Sequence, residues 1–231
     1  VSLLLEEPLD WKLQRQLLSD NVYNSIEGDS DANRFVYDAK INNLDGELIV
    51  CSNINKLDGF CKQVVYETYD EYLNIISTRD FAKEQWVYNI LDGKAEQDKV
   101  IYSDEQIIIM PNYTWSNVAD LSKMYLLVFP MDKSLHSLRD LNSTHINLLS
   151  WIKTKTLETI KSVYGFDSNI IKMFIHYAPS TYHLHIHFVL VSNTDVNSSV
   201  EYSHDLDTVI NILKNKFDYY QTNEIVIKKR I

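Results

Sequence analysis

Tyr182-His183-Leu184-His185-Ile186-His187-Phe188-Val189-Leu190 sets a histidine at every second position of a run that otherwise reads as a buried β-strand. Side chains alternate faces along a strand, so this reading puts His183, His185 and His187 on one face and Leu184, Ile186 and Phe188 on the other. The chain of 231 residues holds 7 histidines, and three of them on one strand face point to chemistry rather than chance.

Ile171 to His176, before the turn at Ala178-Pro179-Ser180, pairs naturally with the histidine run as a second strand. Further strands are expected at Gln106 to Met110 and at Met124 to Phe129, the latter ended by Pro130. Helical spacing of Phe81, Trp86, Ile90 and Leu91 predicts a helix from Phe81 to Lys94. A long amphipathic helix is predicted from about Ser143 to Tyr164. Ile146, Leu149, Ile152, Leu157, Ile160 and Val163 face inward, and Gly165 ends it. A last helix carries Leu206, Val209, Ile210, Leu213 and Phe217 and precedes a strand from Glu224 to Ile227. Interleaved antiparallel strands and helices of this kind define an α+β domain. Residues up to about Thr78 alternate short apolar runs with polar turns, which predicts a small β-rich region with a flexible loop at 27–33. The expected division is therefore an N-terminal domain over 1–78 and a larger domain over 79–231.

Hydrophobic residues make up 45% of the chain, enough for a real core. No apolar run approaches the roughly 18 residues that span a bilayer, and the Val-Ser-Leu-Leu-Leu start lacks the basic flank of a signal peptide, so no membrane partner is expected. Cys51 and Cys61, ten residues apart, match no metal motif and read as reduced thiols of a cytoplasmic or nuclear compartment. A formal charge of −10 argues against sequence-independent binding to long nucleic acid, which needs many Lys and Arg on phosphates. It leaves room for a small anionic ligand in a local pocket.

Three readings compete for the histidine face. Zinc favours tetrahedral imidazole sites, but three ligands at alternate positions of one strand span roughly 13 Å, so one ion would need two of them plus a ligand from elsewhere. Alternatively the histidines are core or surface groups bonded to backbone and nothing more. The third reading makes the central imidazole a nucleophile toward phosphorus, with its neighbours positioning it and stabilising oxyanions, and this requires no metal or other cofactor.

The run His183-Leu184-His185-Ile186-His187-Phe188-Val189 resembles the histidine-triad motif. The longer string from Ile175 to Phe188 is similar to the scavenger mRNA-decapping enzymes of that superfamily, as are Gln85 to Glu96 and Ser137-Leu138-Arg139-Asp140-Leu141. Upstream the likeness rests on short pieces such as Leu4-Leu5-Glu6, Asn21-Val22-Tyr23 and Val64-Val65-Tyr66. The resemblance implies a 7-methylguanosine cap dinucleotide or short capped RNA as substrate. It implies attack by His185 on the phosphate next to the methylated nucleoside, with His183, His187 and His176 positioning the nucleophile and the phosphates. It places Trp86 against the base, where an aromatic face attracts the positive 7-methylguanine by about 0.5–2 kcal/mol. Glu96 would accept from the guanine edge, and Ser180, Asn112 and Tyr23 would join the substrate-binding set. A histidine-triad homodimer with an exchanged N-terminal lid is implied as well.

The chain departs from the family pattern at several phosphate-contacting positions. Asn112 and Thr114 stand where relatives carry an acid and a lysine, Tyr202 stands for an arginine, and Thr181 for a tyrosine. Charge-assisted contacts are each worth roughly 1.5–3 kcal/mol, so a cap-binding regulatory protein with weak or no hydrolysis is the alternative. Lys94, Lys99, Lys123 and Lys133 are candidate replacement cations. A general histidine-triad nucleotide hydrolase without preference for the methylated base is a third reading.

Overall fold

In the computed structural model the described residues are 3–4, 23–29, 34–41, 44–51, 62–193, 196, 198 and 202–230, with side chains described only between 64 and 228. The chain divides into two compact units, Val1–Gln63 with Lys229–Ile231, and Val64–Lys228.

The smaller unit holds a four-stranded sheet of β1 (Leu3–Leu4), β2 (Tyr23–Asp29), β3 (Arg34–Ile41) and β4 (Leu44–Cys51), in the order β1-β4-β3-β2. The antiparallel pairs are β2 with β3 and β3 with β4, while β1 runs parallel to β4. Strand β2 takes up 27–29 of the segment expected as a flexible loop, and 30–33 lie outside the described residues.

After β5 (Lys62–Glu67) comes α1 (Tyr69–Thr78), a helix within the region expected to be β-rich. Its start is set by a reciprocal cap: Thr68 Oγ1 accepts from the Glu71 N–H and the Glu71 carboxylate accepts from the Thr68 N–H. A single 3-10 turn at Phe81–Glu84 leads into α2 (Gln85–Leu91), which stops short of Lys94 because Gly93 turns left-handed at φ 71°.

The centre of the larger unit is a six-stranded antiparallel sheet. Its strands are β6 (Tyr102–Ser103), β7 (Ile107–Pro111), β8 (Tyr125–Pro130), β9 (Ile171–His176), β10 (Ile186–Leu190) and β11 (Ser203–Asp205), in the order β11-β9-β10-β8-β7-β6. Every residue of β8 and β10 is buried, which is why both read as continuous apolar runs rather than as alternating ones. The strands expected near 106–110, 124–129, 171–176 and 184–191 are all present, within two residues at each end.

Helix α3 (Ile146–Tyr164) packs on α4 (Leu206–Asn215), which in turn packs on β9. Gly165 ends α3 at φ 77°, as expected. Leu149, Ile152 and Ile160 are fully buried and Ile146 and Leu157 partly so, but Val163 is 54% exposed, with Thr156 and Thr159 turned inward instead. Phe217 lies beyond the end of α4 and is exposed as well. A short helix α5 (Tyr219–Thr222) precedes β12 (Ile225–Arg230), which pairs with β5.

Arg139 is wholly buried and joins three distant segments. Its Nε donates to Glu67 Oε1 at 3.2 Å, and its Nη1 donates to the carbonyls of Tyr220 (3.0 Å) and Asn223 (2.7 Å). Nη2 donates to the Glu67 carbonyl, and Tyr177 Oη–H donates to the Glu67 carboxylate.

Candidate active site

β10 begins only at Ile186, so the histidine run is not a single strand. Pairing with β8 starts at Ile186 opposite Val128, whereas the N–H of Leu184 bonds to the carbonyl of Leu135, outside the sheet, at 2.8 Å. The alternation expected over 183–187 therefore breaks before His185. His183 is 0% exposed and packs between Tyr88 and Phe129, with ring centroids 5.9 and 6.1 Å away. Its Nε2–H donates to the carbonyl of Pro130 at 2.9 Å. The expectation that all three imidazoles act from one strand face is thus corrected for His183: its ring does not line the cleft that His185 and His187 line, and it is tied to His185 through its main-chain carbonyl.

That main-chain contact sets the tautomer of His185. His185 Nδ1 lies 2.8 Å from the carbonyl oxygen of His183, and since a carbonyl only accepts, Nδ1 carries the proton. Nε2 of His185 is then left with its lone pair. Burial lowers the pKa of His185, lowers that of His183 to about 4, and lowers that of His187 well below the ordinary range, so all three rings are neutral near pH 7.

His185 and His187 line a cleft of about 520 Å³, and the structure brings His176, Ser180, Trp86 and Asn112 to the same cleft. The His187 ring stacks on Phe174 at 5.0 Å and 8°, and stands 4.1 Å from His176 and 4.9 Å from His185. Tyr125 Oη is 2.6 Å from His187 Nδ1. His176 is half-buried, between His187 and the ring of Tyr202 at 4.1 Å. Ser180 is exposed at the rim. Among the described residues lining this cleft, Lys123 is the only lysine or arginine.

An adjoining cavity of about 1010 Å³ shares Trp86 and Asn112 and adds Glu96, Asp98 and Lys99. Trp86, on α2, is 44% exposed, stands perpendicular to the Phe129 ring at 6.2 Å and lines both cavities. Glu96 sits in a left-handed turn at φ 52° rather than on a helix, and pairs with Lys99 at 3.1 Å. Asn112 is buried. Its Oδ1 accepts from the N–H and the hydroxyl of Thr114, both at 2.9 Å. Tyr23 falls on β2 of the smaller unit, and its side chain lies outside the described residues.

Glu84 couples the two halves of the site. Buried at the foot of α2, its carboxylate accepts from Arg79 (2.5 Å) and from the N–H of Tyr182 (3.0 Å), on the loop that carries the histidines. Neither Glu84 nor Tyr125 stood out in the sequence. Tyr125 hides in a uniformly apolar strand, where its hydroxyl was the only signal. Among the described residues no three His, Cys, Asp or Glu side chains gather in a way that could hold a metal ion.

The architecture and the cleft define the class: an antiparallel α+β domain with a histidine-triad segment leading into its central sheet. The chain belongs to the family described as scavenger mRNA decapping enzyme C-term binding, whose model matches residues 85–201. The m7GpppX diphosphatase of Ascaris suum is 38% identical over 169 residues, covering 70% of this chain and 56% of that protein. The m7GpppX diphosphatase of Homo sapiens is 33% identical over 175 residues, 73% of this chain and 52% of that one. That of Schizosaccharomyces pombe is 34% identical over 176 residues, with 72% and 58% covered. The chain spans about half the length of these curated relatives.

Proposed function

We propose that this protein is a scavenger decapping pyrophosphatase acting on 7-methylguanosine cap dinucleotides or short capped RNA. The observation that carries the reading is the bond from His185 Nδ1–H to the His183 carbonyl, which leaves a neutral Nε2 lone pair on a ring lining the same cleft as the exposed Trp86. The methylated base would lie on Trp86, with its N1–H and amine toward Glu96, while the phosphates extend to the histidines. Nε2 of His185 attacks the phosphorus bonded to 7-methylguanosine, and the bond from that phosphorus to the bridging oxygen breaks. The nucleoside diphosphate leaves with those electrons. Water then attacks the phosphorus–nitrogen bond, releasing 7-methyl-GMP and restoring the imidazole. His187 and His176, beside the nucleophile, contact the phosphate oxygens, and Ser180 at the rim adds a hydroxyl. Lys123 supplies the positive charge that Thr114 and Tyr202 do not. Neutrality of the nucleophile near pH 7 requires no metal-bound activator.

The same reading includes a cytoplasmic, also nuclear, homodimer in which the N-terminal domain closes over the site. Sedimentation of the purified protein tests the dimer.

Incubation with the 7-methylguanosine cap dinucleotide in EDTA tests the activity. 7-methyl-GMP and GDP should form with the unaltered protein and not with His185→Asn. Binding without cleavage would favour the regulatory cap-binding reading, for which the absent phosphate cations speak. Equal cleavage of unmethylated dinucleotides would favour a general nucleotide hydrolase.

A further inference from the structure

We propose that Tyr125 is a positioning residue for phosphoryl transfer: its hydroxyl donates to Nδ1 of His187 and so fixes the tautomer that presents Nε2–H to a phosphate oxygen beside His185. This rests on the phosphohistidine reading above and adds to it a residue from the neighbouring strand.

The register explains how the two side chains meet. Val189 stands opposite Tyr125 and His187 opposite Leu127, so Tyr125 and His187 are diagonal neighbours on one face of the sheet. The hydroxyl reaches Nδ1 at 2.6 Å, with Tyr125 7% exposed and His187 4% exposed.

Hydrogen-bond accounting decides the direction of the proton. A neutral imidazole has one N–H. Were it on Nδ1, the tyrosine oxygen would accept, its own proton would have no acceptor among the described residues, and the Nε2 lone pair would also be buried without a partner. With the proton on Nε2, the tyrosine donates to Nδ1, and Nε2–H is the one buried atom of the pair without a partner. Two buried unmet groups become one, and buried polar groups are rarely left unmet. Burial pushes the Tyr125 phenol up, so it remains protonated and able to donate.

The ring that carries the remaining Nε2–H is held by its surroundings. Phe174 stacks flat on the His187 ring, and His176 and His185 flank it at 4.1 and 4.9 Å, at the histidine end of the cleft. Nε2 itself is buried, so a non-bridging phosphate oxygen reaches this donor as the flanking His176 and His185 rings give way, and the proton is already on the right nitrogen when charge builds during attack. The hydroxyl itself touches no substrate; its effect passes through the imidazole.

The tautomer can be read without substrate. Long-range proton–nitrogen correlation spectra of the nitrogen-15-labelled protein near neutral pH should show His187 protonated at Nε2 and bare at Nδ1. Tyr125→Phe should move His187 toward the Nδ1–H form or a mixture. It should also lower kcat on the cap dinucleotide by about tenfold with KM within about twofold. Protonation at Nδ1 in the unaltered protein overturns the proposal, and this result stands even if the variant fails to fold. A variant whose tautomer shifts while kcat holds, or whose kcat falls while the tautomer holds, overturns it as well. Absence of cleavage by the unaltered protein overturns the decapping reading instead, because the spectrum is recorded without the cap.

Discussion

The imidazole of His185 is tied to the main chain two residues behind it, Nδ1 donating to the carbonyl of His183 at 2.8 Å. His183 in turn is anchored by Nε2 to the carbonyl of Pro130 at 2.9 Å, where β8 ends. One histidine is therefore a buried strut and the other lines the cleft with Nε2 unprotonated, although the two look alike in the sequence.

Replacing His185 with asparagine keeps a donor for the His183 carbonyl and removes the attacking nitrogen. Turnover of the cap dinucleotide should fall by roughly three powers of ten or more, with cap affinity changed little. Steady-state kinetics with a fluorescence binding titration checks both, and a variant with substantial turnover would refute the assignment.

Trp86→Ala should cost the methylated base its cation–π attraction of about 0.5–2 kcal/mol, which is roughly 2- to 30-fold in affinity. Unmethylated guanosine nucleotides should lose less. Calorimetric titration of both nucleotides reads the difference, and equal losses would remove Trp86 from the base site.

Removing Arg139 strands a carboxylate. Glu67, 4% exposed, would keep only the Tyr177 hydroxyl as its side-chain partner, and the carbonyls of Tyr220 and Asn223 would lose their donors. Arg139→Met should destabilise the fold by about 3–5 kcal/mol, measured by denaturant unfolding. A loss under about 1 kcal/mol would mean that the buried network contributes little.

His183 contributes to the pH dependence of stability, as do His185, His187 and His204, whose pKa values burial also lowers. The pKa of His183 falls from 6.5 in the unfolded chain to about 4 in the fold, because burial disfavours the charged ring. Between those values the unfolded chain binds the extra proton. Stability is therefore complete above pH 6.5 and declines as pH falls toward about 4, by up to about 3 kcal/mol from this residue. Asp104 and Asp132, whose pKa values are lowered, lose their contribution only in more acidic solution. His183→Gln, which retains a donor for Pro130, should make the decline above pH 4 shallower in denaturant melts, the remainder coming from the other buried histidines. An unchanged decline would assign it to other groups.

What could be read from the sequence follows from how strongly a pattern constrains local geometry. The alternating histidines and the strand pair were legible because apolar runs ended by Pro130 and by the turn at 178–180 leave few other structures. The role of His183 was not, because where the sheet pairing begins is set by tertiary contacts, here the bond from Leu184 to Leu135. Helix α1 was missed although Thr68 and Glu71 spell its cap, since the apolar runs before it read as strands. Val163 and Phe217 fit the helical periodicity, but each lies in or beyond the last turn, where the packed face has ended. Tyr125 was invisible as a functional residue because β8 is buried on both faces, leaving no alternation to set it apart.

The central claim is that the reaction passes through a covalent bond between His185 and phosphorus. The most direct measurement uses a cap dinucleotide made chiral with sulfur at the phosphorus bonded to 7-methylguanosine, hydrolysed in oxygen-18 water. Two successive in-line displacements predict retention of configuration in the methylated product. Inversion would show that water displaces the leaving diphosphate directly, and would contradict a phosphohistidine on this chain.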